Sequence, residues 1–179
     1  MRLFVGYLIP EELKPKILEL QQEINNLEIE CKHVEKENLH INFSFLGENS
    51  EEDAEKIKKD LDGIAQKFKK MEVDLKGVRA IPDKKFTRVL ALDVTDSQGS
   101  LQKLTEEIIQ KIGGDVKPPH ITICRIKSVK NKQRLISFVE GYEESGFGKM
   151  KINSIQLIES KLGRSGPEYS VVGESFLQD

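Results

Sequence analysis

The chain has 179 residues, with 28 basic and 30 acidic side chains and a formal net charge of −2. This balance argues against a protein that coats long nucleic acid, because such binding neutralises many phosphates with Lys and Arg. It leaves open the binding of a short or terminal nucleotide, which needs only a few positive groups. No apolar run approaches the roughly 20 residues that span a bilayer, and the start of the chain lacks signal-peptide features. We therefore expect a cytoplasmic protein with no membrane partner.

The first quarter of the chain predicts a strand, a helix and a second strand. Arg2 to Leu8 is short and apolar, which is typical of a buried strand. Apolar residues then recur at helical spacing: Leu13, Ile17, Leu20 and Ile24. After a polar stretch, residues 39–46 alternate strictly, which predicts a strand with two different faces. One face carries Ile41, Phe43 and Phe45, and the other carries His40, Asn42 and Ser44.

The rest of the chain alternates further helices and strands. Ser50 and Asp53 form a weak capping box at the start of a second helix. Strand patterns follow over 71–75 and 86–94, then a helix that stops at Gly113-Gly114. A strand begins at His120, after Pro118-Pro119. A short helix near 133–139, a strand near 150–158, a Gly-rich loop at 163–166 and a last strand near 169–172 complete the predicted elements.

The succession of strand, helix and strand occurs twice, and its second strand opens with His both times. The two tetrapeptides are HINF, from His40, and HITI, from His120. We interpret this as a diverged internal duplication within one bilobal domain, with halves of roughly 1–80 and 81–179. The predicted fold class is α+β, with antiparallel sheets lining a central cleft between two lobes and helices outside.

The two histidines are the candidate catalytic residues. Because residues i and i+2 of a strand point the same way, His40 shares a face with Asn42, and His120 shares a face with Thr122. If the lobes are related by a pseudo-twofold axis, these faces oppose one another across the cleft. One neutral imidazole could then accept a proton while the other, charged, donates one. This arrangement suits attack of water on a cyclic phosphodiester.

The other reactive residues do not predict a further functional site. No carboxylate cluster has metal-ligand spacing, so neither a metal nor another cofactor is predicted. The two cysteines, Cys31 and Cys124, are far apart in sequence and are expected to be free buried thiols. His33 lies in a charged stretch with no counterpart in the repeat, and we expect it at the surface.

The sequence resembles the two-histidine phosphoesterase superfamily, and more closely the RNA 2′,3′-cyclic phosphodiesterases historically called 2′-5′ RNA ligases. The resemblance rests on NLHINFSFLGE and KPPHITICRIK, which are similar to the family's paired His-x-Thr-x motifs, and it covers almost the whole chain. It implies hydrolysis of a ribose 2′,3′-cyclic phosphate to a 2′-phosphate without metal. By position, His40 would be the proton donor and His120 the proton acceptor.

Two positions of the motifs need separate comment. The first motif has Asn42 where the family usually has Thr or Ser, which puts the level of activity in doubt more than the location of the site. An Asn amide still donates a hydrogen bond, and with Thr122 it is a candidate for phosphate binding. Arg125 is a further candidate, since Arg suits phosphate, but a strict strand would turn it away from the cleft. A bulge would be required, so both placements stay open.

Three functions remain possible on this sequence. The first is hydrolysis of cyclic phosphate ends of RNA or of small cyclic nucleotides by a monomer. The second is reversible 2′-5′ RNA ligation with the same two histidines. The third is a non-catalytic nucleotide-binding module, which Asn42 makes worth testing.

Overall fold

The computed structural model describes residues 1–179 and contains four α-helices and nine β-strands. The helices are α1 (Lys14–Ile24), α2 (Glu51–Ala65), α3 (Ser100–Lys111) and α4 (Lys132–Gly141). The strands are β1 (Arg2–Leu8), β2 (Ile29–His33), β3 (His40–Glu48), β4 (Met71–Pro82), β5 (Thr87–Thr95), β6 (His120–Val129), β7 (Gly146–Ile152), β8 (Ser154–Leu162) and β9 (Pro167–Phe176). None of the helices combines the length and the apolar character that crossing a membrane requires.

The strands form one curled antiparallel sheet in the order β7-β4-β5-β6-β3-β1-β8-β9, and β2 pairs with β6 outside this path. At its centre, β3 and β6 are in register at a single pair, Ile41 and Ile121. The sheet opens there, and similar sets of four strands flank the opening: β3-β1-β8-β9 on one side and β6-β5-β4-β7 on the other. The predicted two-lobed α+β fold with a central cleft is confirmed.

The two halves of the sheet do not correspond to the two halves of the chain, because one half combines early and late strands and β4 of the other half contains residue 80. The strands β8 and β9 continue the sheet beyond β1, while β4 and β7 continue it beyond β5. This exchange gives the edge of β1 a hydrogen-bonding partner that the first half of the chain does not supply. The duplication with halves 1–80 and 81–179 stays a prediction about the sequence.

The helices have the apolar faces that their sequence periodicity predicts. In α1, the side chains of Ile17, Leu20 and Ile24 are buried. Helix α2 begins with the predicted capping box, in which the Ser50 hydroxyl accepts a hydrogen bond from the Asp53 amide. A cap of this kind contributes about 1 kcal/mol to stability. The helices therefore cover the sheet with their apolar faces, as expected.

The strict alternation predicted for β3 is wrong beyond Phe43. Gly6 of β1 pairs with Asn42 and Val5 pairs with Ser44, so Phe43 is an extra residue in the ladder. Such a bulge places consecutive side chains on the same side of a strand. Ser44, which the alternation places with His40 and Asn42, is consequently fully buried, and Phe45, which it places with Ile41 and Phe43, is 37% exposed.

Strand β6 contains a bulge at the corresponding place. Ala91 of β5 pairs with Thr122 and Leu90 pairs with Cys124, which leaves Ile123 as the extra residue. Ile123 and Cys124 are both fully buried. The following residue, Arg125, is thereby turned to the same side as Thr122.

Candidate active site

A cleft of about 310 Å³ lies where β3 and β6 separate. Its lining residues are His40, Asn42, Phe45, Ile81, Val89, Asp115, Lys117, His120, Thr122 and Arg125. Five of these are the site residues that the sequence predicts, and the structure brings all five together around one cavity. Their chemical roles stay predictions.

The two histidines are held in the same way. Each is the first residue of its strand. The Nδ1 of His40 lies 2.7 Å from the carbonyl oxygen of Asn38, and the Nδ1 of His120 lies 2.8 Å from that of Pro118. A carbonyl oxygen can only accept, so Nδ1 carries the proton in both rings. Each Nε2 is therefore the nitrogen that is free to exchange a proton with a substrate.

The His40 ring is the more enclosed of the two. It packs against Phe4, with ring centroids 4.9 Å apart, and against the edge of Tyr169, at 5.3 Å. Burial lowers the pKa of His40, and the nearby positive charges of Arg125 and His120 lower it further. The hydrogen bond to Asn38 opposes this shift. In the free protein, His40 is consequently neutral over a wider pH range than an ordinary histidine.

The hydrogen-bonding residues reach the cleft by strand alternation and, for one of them, by a bulge. Asn42 and Thr122 follow their histidines by two positions and face the cleft with them. Arg125 also lines the cleft, because the bulge at Ile123 reverses the alternation that would have turned it away. The cleft thus combines two imidazoles, an amide, a hydroxyl and a guanidinium. This set can bind a phosphate group and move protons on two sides of it.

A segment between α3 and β6 brings further residues into the cleft that the sequence patterns do not predict. Asp115 forms a backbone bridge with Phe45, with both N–H···O distances at 2.9 Å. The Ser44 hydroxyl donates a hydrogen bond of 2.7 Å to the carbonyl of Gly113. These contacts fix the segment against β3, and Asp115 and Lys117 enter the cleft from it. Lys117 could have been noticed, since it directly precedes the proline pair and His120.

Several other polar and aromatic residues lie away from the cleft lining. Arg88 stands over the ring of Phe86, 5.0 Å from its centroid, in a separate surface pocket. Tyr169 supports the His40 ring. The loop containing Ser165 is tied to β2, because the Lys32 ammonium donates a hydrogen bond of 2.9 Å to the Ser165 carbonyl. His33, predicted at the surface, is half-buried, since residues 29–33 form a strand of the sheet.

Comparison with solved structures defines the class of fold. The chain superposes on a Thermus thermophilus protein with a TM-score of 0.83 and 22% identity, covering 99% of this chain and 98% of the other. It superposes on Escherichia coli LigT complexed with 3′-AMP with a TM-score of 0.79 and 19% identity, at the same coverage. These likenesses establish that the curled sheet with its central cleft has the fold of LigT-like proteins.

Sequence comparison then gives the family. The LigT-like phosphoesterase model matches residues 8–91. The RNA 2′,3′-cyclic phosphodiesterase of Aquifex aeolicus is 34% identical over 185 aligned residues, covering 99% of this chain and 97% of the relative. The RNA 2′,3′-cyclic phosphodiesterase of Methanocaldococcus jannaschii is 36% identical over 180 residues, covering 97% and 99%. The chain belongs to the LigT-like phosphoesterase family.

Proposed function

We propose that this protein hydrolyses ribose 2′,3′-cyclic phosphate ends of RNA to 2′-phosphates, with His40 as proton donor and His120 as proton acceptor. The observation that carries the proposal is the matched pair of imidazoles. Each donates Nδ1–H to a backbone carbonyl and keeps Nε2 for the cleft. Full-length similarity to proteins named RNA 2′,3′-cyclic phosphodiesterases supports this substrate class.

In the proposed reaction, the cyclic phosphate lies between the two histidines. Nε2 of His120 removes a proton from a water molecule, whose oxygen forms a bond to phosphorus. The bond between phosphorus and the ribose 3′ oxygen breaks, and Nε2 of His40 gives this oxygen its proton. A general acid and a general base of this kind each contribute about 10²–10⁴-fold to rate.

Three further residues of the cleft, Asn42, Thr122 and Arg125, hold the phosphoryl oxygens in this proposal. The Thr122 hydroxyl and the Asn42 amide can each donate a hydrogen bond, and the Arg125 guanidinium offsets negative charge. Donors placed in advance around developing charge stabilise a transition state more effectively than water does. The proposed steps use no metal ion, so turnover should persist in the presence of a chelator.

The lowered pKa of His40 fits a donor that is charged only when substrate is bound. In the free protein, burial and the neighbouring positive charges favour the neutral ring. A cyclic phosphate monoanion placed beside the ring favours its protonated form, as any opposite charge within a few ångströms does. The substrate would thus supply the condition under which His40 can act as an acid.

The proposed substrates are RNA ends and small cyclic nucleotides. Structures of Escherichia coli LigT complexed with 3′-AMP, ATP and NADP+ share the fold, which supports a nucleotide as the ligand here. We further propose that the protein acts as a monomer in the cytoplasm.

The test is incubation of purified protein with a short RNA that ends in a 2′,3′-cyclic phosphate, with EDTA present, while 2′- and 3′-phosphate products are separated. We expect 2′-phosphate from the wild type. The His40→Ala and His120→Ala variants should lose at least about 100-fold in kcat, whereas binding of 3′-AMP falls only modestly. Unchanged turnover in both variants would refute the proposal. A product joined to an added 5′-hydroxyl RNA would indicate ligation, and binding without any product would indicate a nucleotide-binding module.

A further inference from the structure

Two cysteines and a histidine that are distant in sequence meet where β2 pairs with β6. His33 lies opposite Cys124 in the antiparallel register, and Cys31 shares a face of β2 with His33. The three potential ligand atoms all lie within 4.8 Å of one another, and the Sγ of Cys31 is 4.0 Å from the Nε2 of His33. Cys124 is fully buried, and Cys31 is partly buried. The cluster takes no part in the proposed phosphodiesterase reaction.

The imidazole of His33 has one nitrogen engaged and one without a partner. Its Nε2 lies 2.6 Å from the side-chain oxygen of Asn25, which can only accept, so Nε2 carries the proton. The Nδ1 atom is buried and has no hydrogen-bond partner. A buried acceptor of this kind calls for an explanation. A metal-ligating histidine commonly donates its other ring N–H to an oxygen, as His33 does to Asn25.

We propose that Cys31, His33 and Cys124 form a Zn²⁺-binding site that fastens β2 to β6. Two thiolates and an imidazole are ligands that Zn²⁺ prefers, and a water molecule would complete a tetrahedron. Neighbouring ligands in such a tetrahedron are about 3.5–3.8 Å apart, given the usual Zn–S and Zn–N distances. The observed spacing is up to 4.8 Å, and the ring nitrogen recorded near Cys31 is Nε2. Metal binding therefore requires the ligand atoms to move closer by up to about 1 Å and the His33 ring to turn Nδ1 toward the thiolates.

The location gives such a site a structural consequence. Cys124 lies in sequence between Thr122 and Arg125, which both line the cleft, and its own side chain is buried. Strand β2 pairs with no strand except β6. A metal ion joining the two strands would therefore stabilise the segment of β6 that presents Thr122 and Arg125. This inference does not depend on the reaction proposed above.

The experiment is titration of the metal-free, fully reduced protein with Co²⁺, which replaces Zn²⁺ and gives a visible spectrum. We expect one equivalent to bind, with thiolate-to-cobalt charge-transfer absorption and the intense d–d bands typical of tetrahedral cobalt. Added Zn²⁺ should displace the cobalt and raise the thermal unfolding midpoint, since a ligand of the native state stabilises it. EDTA should reverse that rise.

Variants locate the ligands. Cys31→Ser and His33→Gln should each weaken Zn²⁺ binding by more than about 100-fold, and Asn25→Ala by about 10–100-fold. The matched control is Glu30→Gln, because Glu30 is an exposed residue of the same strand outside the cluster. The Glu30→Gln variant should bind Zn²⁺ with the affinity of the wild type. Circular dichroism checks that each variant is folded, and neither Cys31→Ser nor His33→Gln alters a fully buried side chain.

Several outcomes would overturn the inference. One is a wild-type protein that shows no charge-transfer absorption at saturating Co²⁺. Another is a His33→Gln variant that binds with wild-type affinity, which would leave only a thiol pair. A third is a mass lower by two hydrogens in protein purified without reductant, with metal binding absent even after reduction, which would indicate that the cysteines only form a disulfide.

Discussion

Phe45 and Arg125 occupy corresponding positions on the two central strands of the cleft. Each follows by three residues the polar member of its motif, Asn42 or Thr122, and each is turned toward the cleft by a one-residue bulge. The two walls are therefore alike in backbone and different in chemistry. One wall presents an aromatic ring, which Arg2 covers at 5.3 Å, and the other presents a guanidinium. We expect the phosphate to be bound mainly by the Arg125 side.

The first prediction concerns Arg125. Replacing it with Leu should lower kcat/KM for a cyclic phosphate RNA by roughly 10–100-fold, because a hydrogen bond to a charged group contributes about 1.5–3 kcal/mol. The loss should appear mainly in KM. Arg88→Leu is the matched control, since Arg88 lies outside the cleft lining. Equal effects of the two substitutions in steady-state kinetics would show that Arg125 contributes only general positive charge.

The second prediction concerns the departure in the first motif. Asn42→Thr should raise kcat/KM by about fivefold, the equivalent of roughly 1 kcal/mol, if the amide holds the phosphate less well than a hydroxyl. The reciprocal variant, Thr122→Asn, should lower it. Initial rates on the same cyclic phosphate RNA measure both. A lower rate in Asn42→Thr would mean that the cleft is adapted to the longer side chain.

Much of the site could be predicted because its residues belong to local patterns. The alternation of apolar and polar residues places His40 with Asn42 and His120 with Thr122, and the structure brings all four into one cleft. That alternation fails beyond the bulges, so the prediction that Phe45 shares a face with Ile41 and Phe43 is wrong. A bulge depends on how the partner strand approaches, here at Gly6, where an added Cβ would lie 2.5 Å from the Ile41 carbonyl oxygen. Strand periodicity contains no information about such a contact.

Residues brought together from distant parts of the chain could not be predicted. Asp115 enters the cleft through a backbone bridge to Phe45, and Cys124 meets Cys31 through pairing of β6 with β2. The segment that forms β2 has the sequence of a polar stretch, because it consists of only five residues of mixed polarity. The pairing of β2 with β6 compensates for the weak preference of these five residues for a strand. Tertiary context commonly has this effect on strands.

The third prediction concerns pH. The pKa of His40 is lowered by burial and by the charges of Arg125 and His120, and kcat/KM reports groups of the free enzyme. Because the proposed reaction needs one histidine protonated and the other neutral, kcat/KM should pass through a maximum as pH rises, and the limb that reports His40 should lie below the ordinary histidine value of about 6.5.

The Arg125→Leu variant provides an internal check on that profile. Removing the guanidinium raises the pKa of His40, so the limb of the profile that reports His40 should move to higher pH even though kcat/KM is lower throughout. The measurement is kcat/KM against pH for both proteins at constant ionic strength. A limb that stays at the same pH in the Arg125→Leu variant would show that this limb does not report His40.

The last prediction compares two adjacent glycines in the segment that brings Asp115 and Lys117 into the cleft. Gly113 and Gly114 both have a positive φ, +93° and +103°, so an Ala at either position costs about 1 kcal/mol or more in conformational strain. Only at Gly114 would the new Cβ also collide, overlapping the Ser44 hydroxyl oxygen and lying 2.8 Å from the Phe45 carbonyl oxygen. At Gly113 nothing lies within 4 Å.

Gly113→Ala should therefore lower the free energy of unfolding slightly and leave kcat/KM nearly unchanged. Gly114→Ala should force the segment away from β3 and break the hydrogen bond from the Ser44 hydroxyl to the Gly113 carbonyl. Asp115 and Lys117 would then be withdrawn from the cleft. Denaturant unfolding and initial rates on both variants distinguish strain from displacement. If Gly114→Ala loses stability but keeps full activity below its unfolding transition, the segment serves to support the fold and its two polar residues do not contribute to turnover.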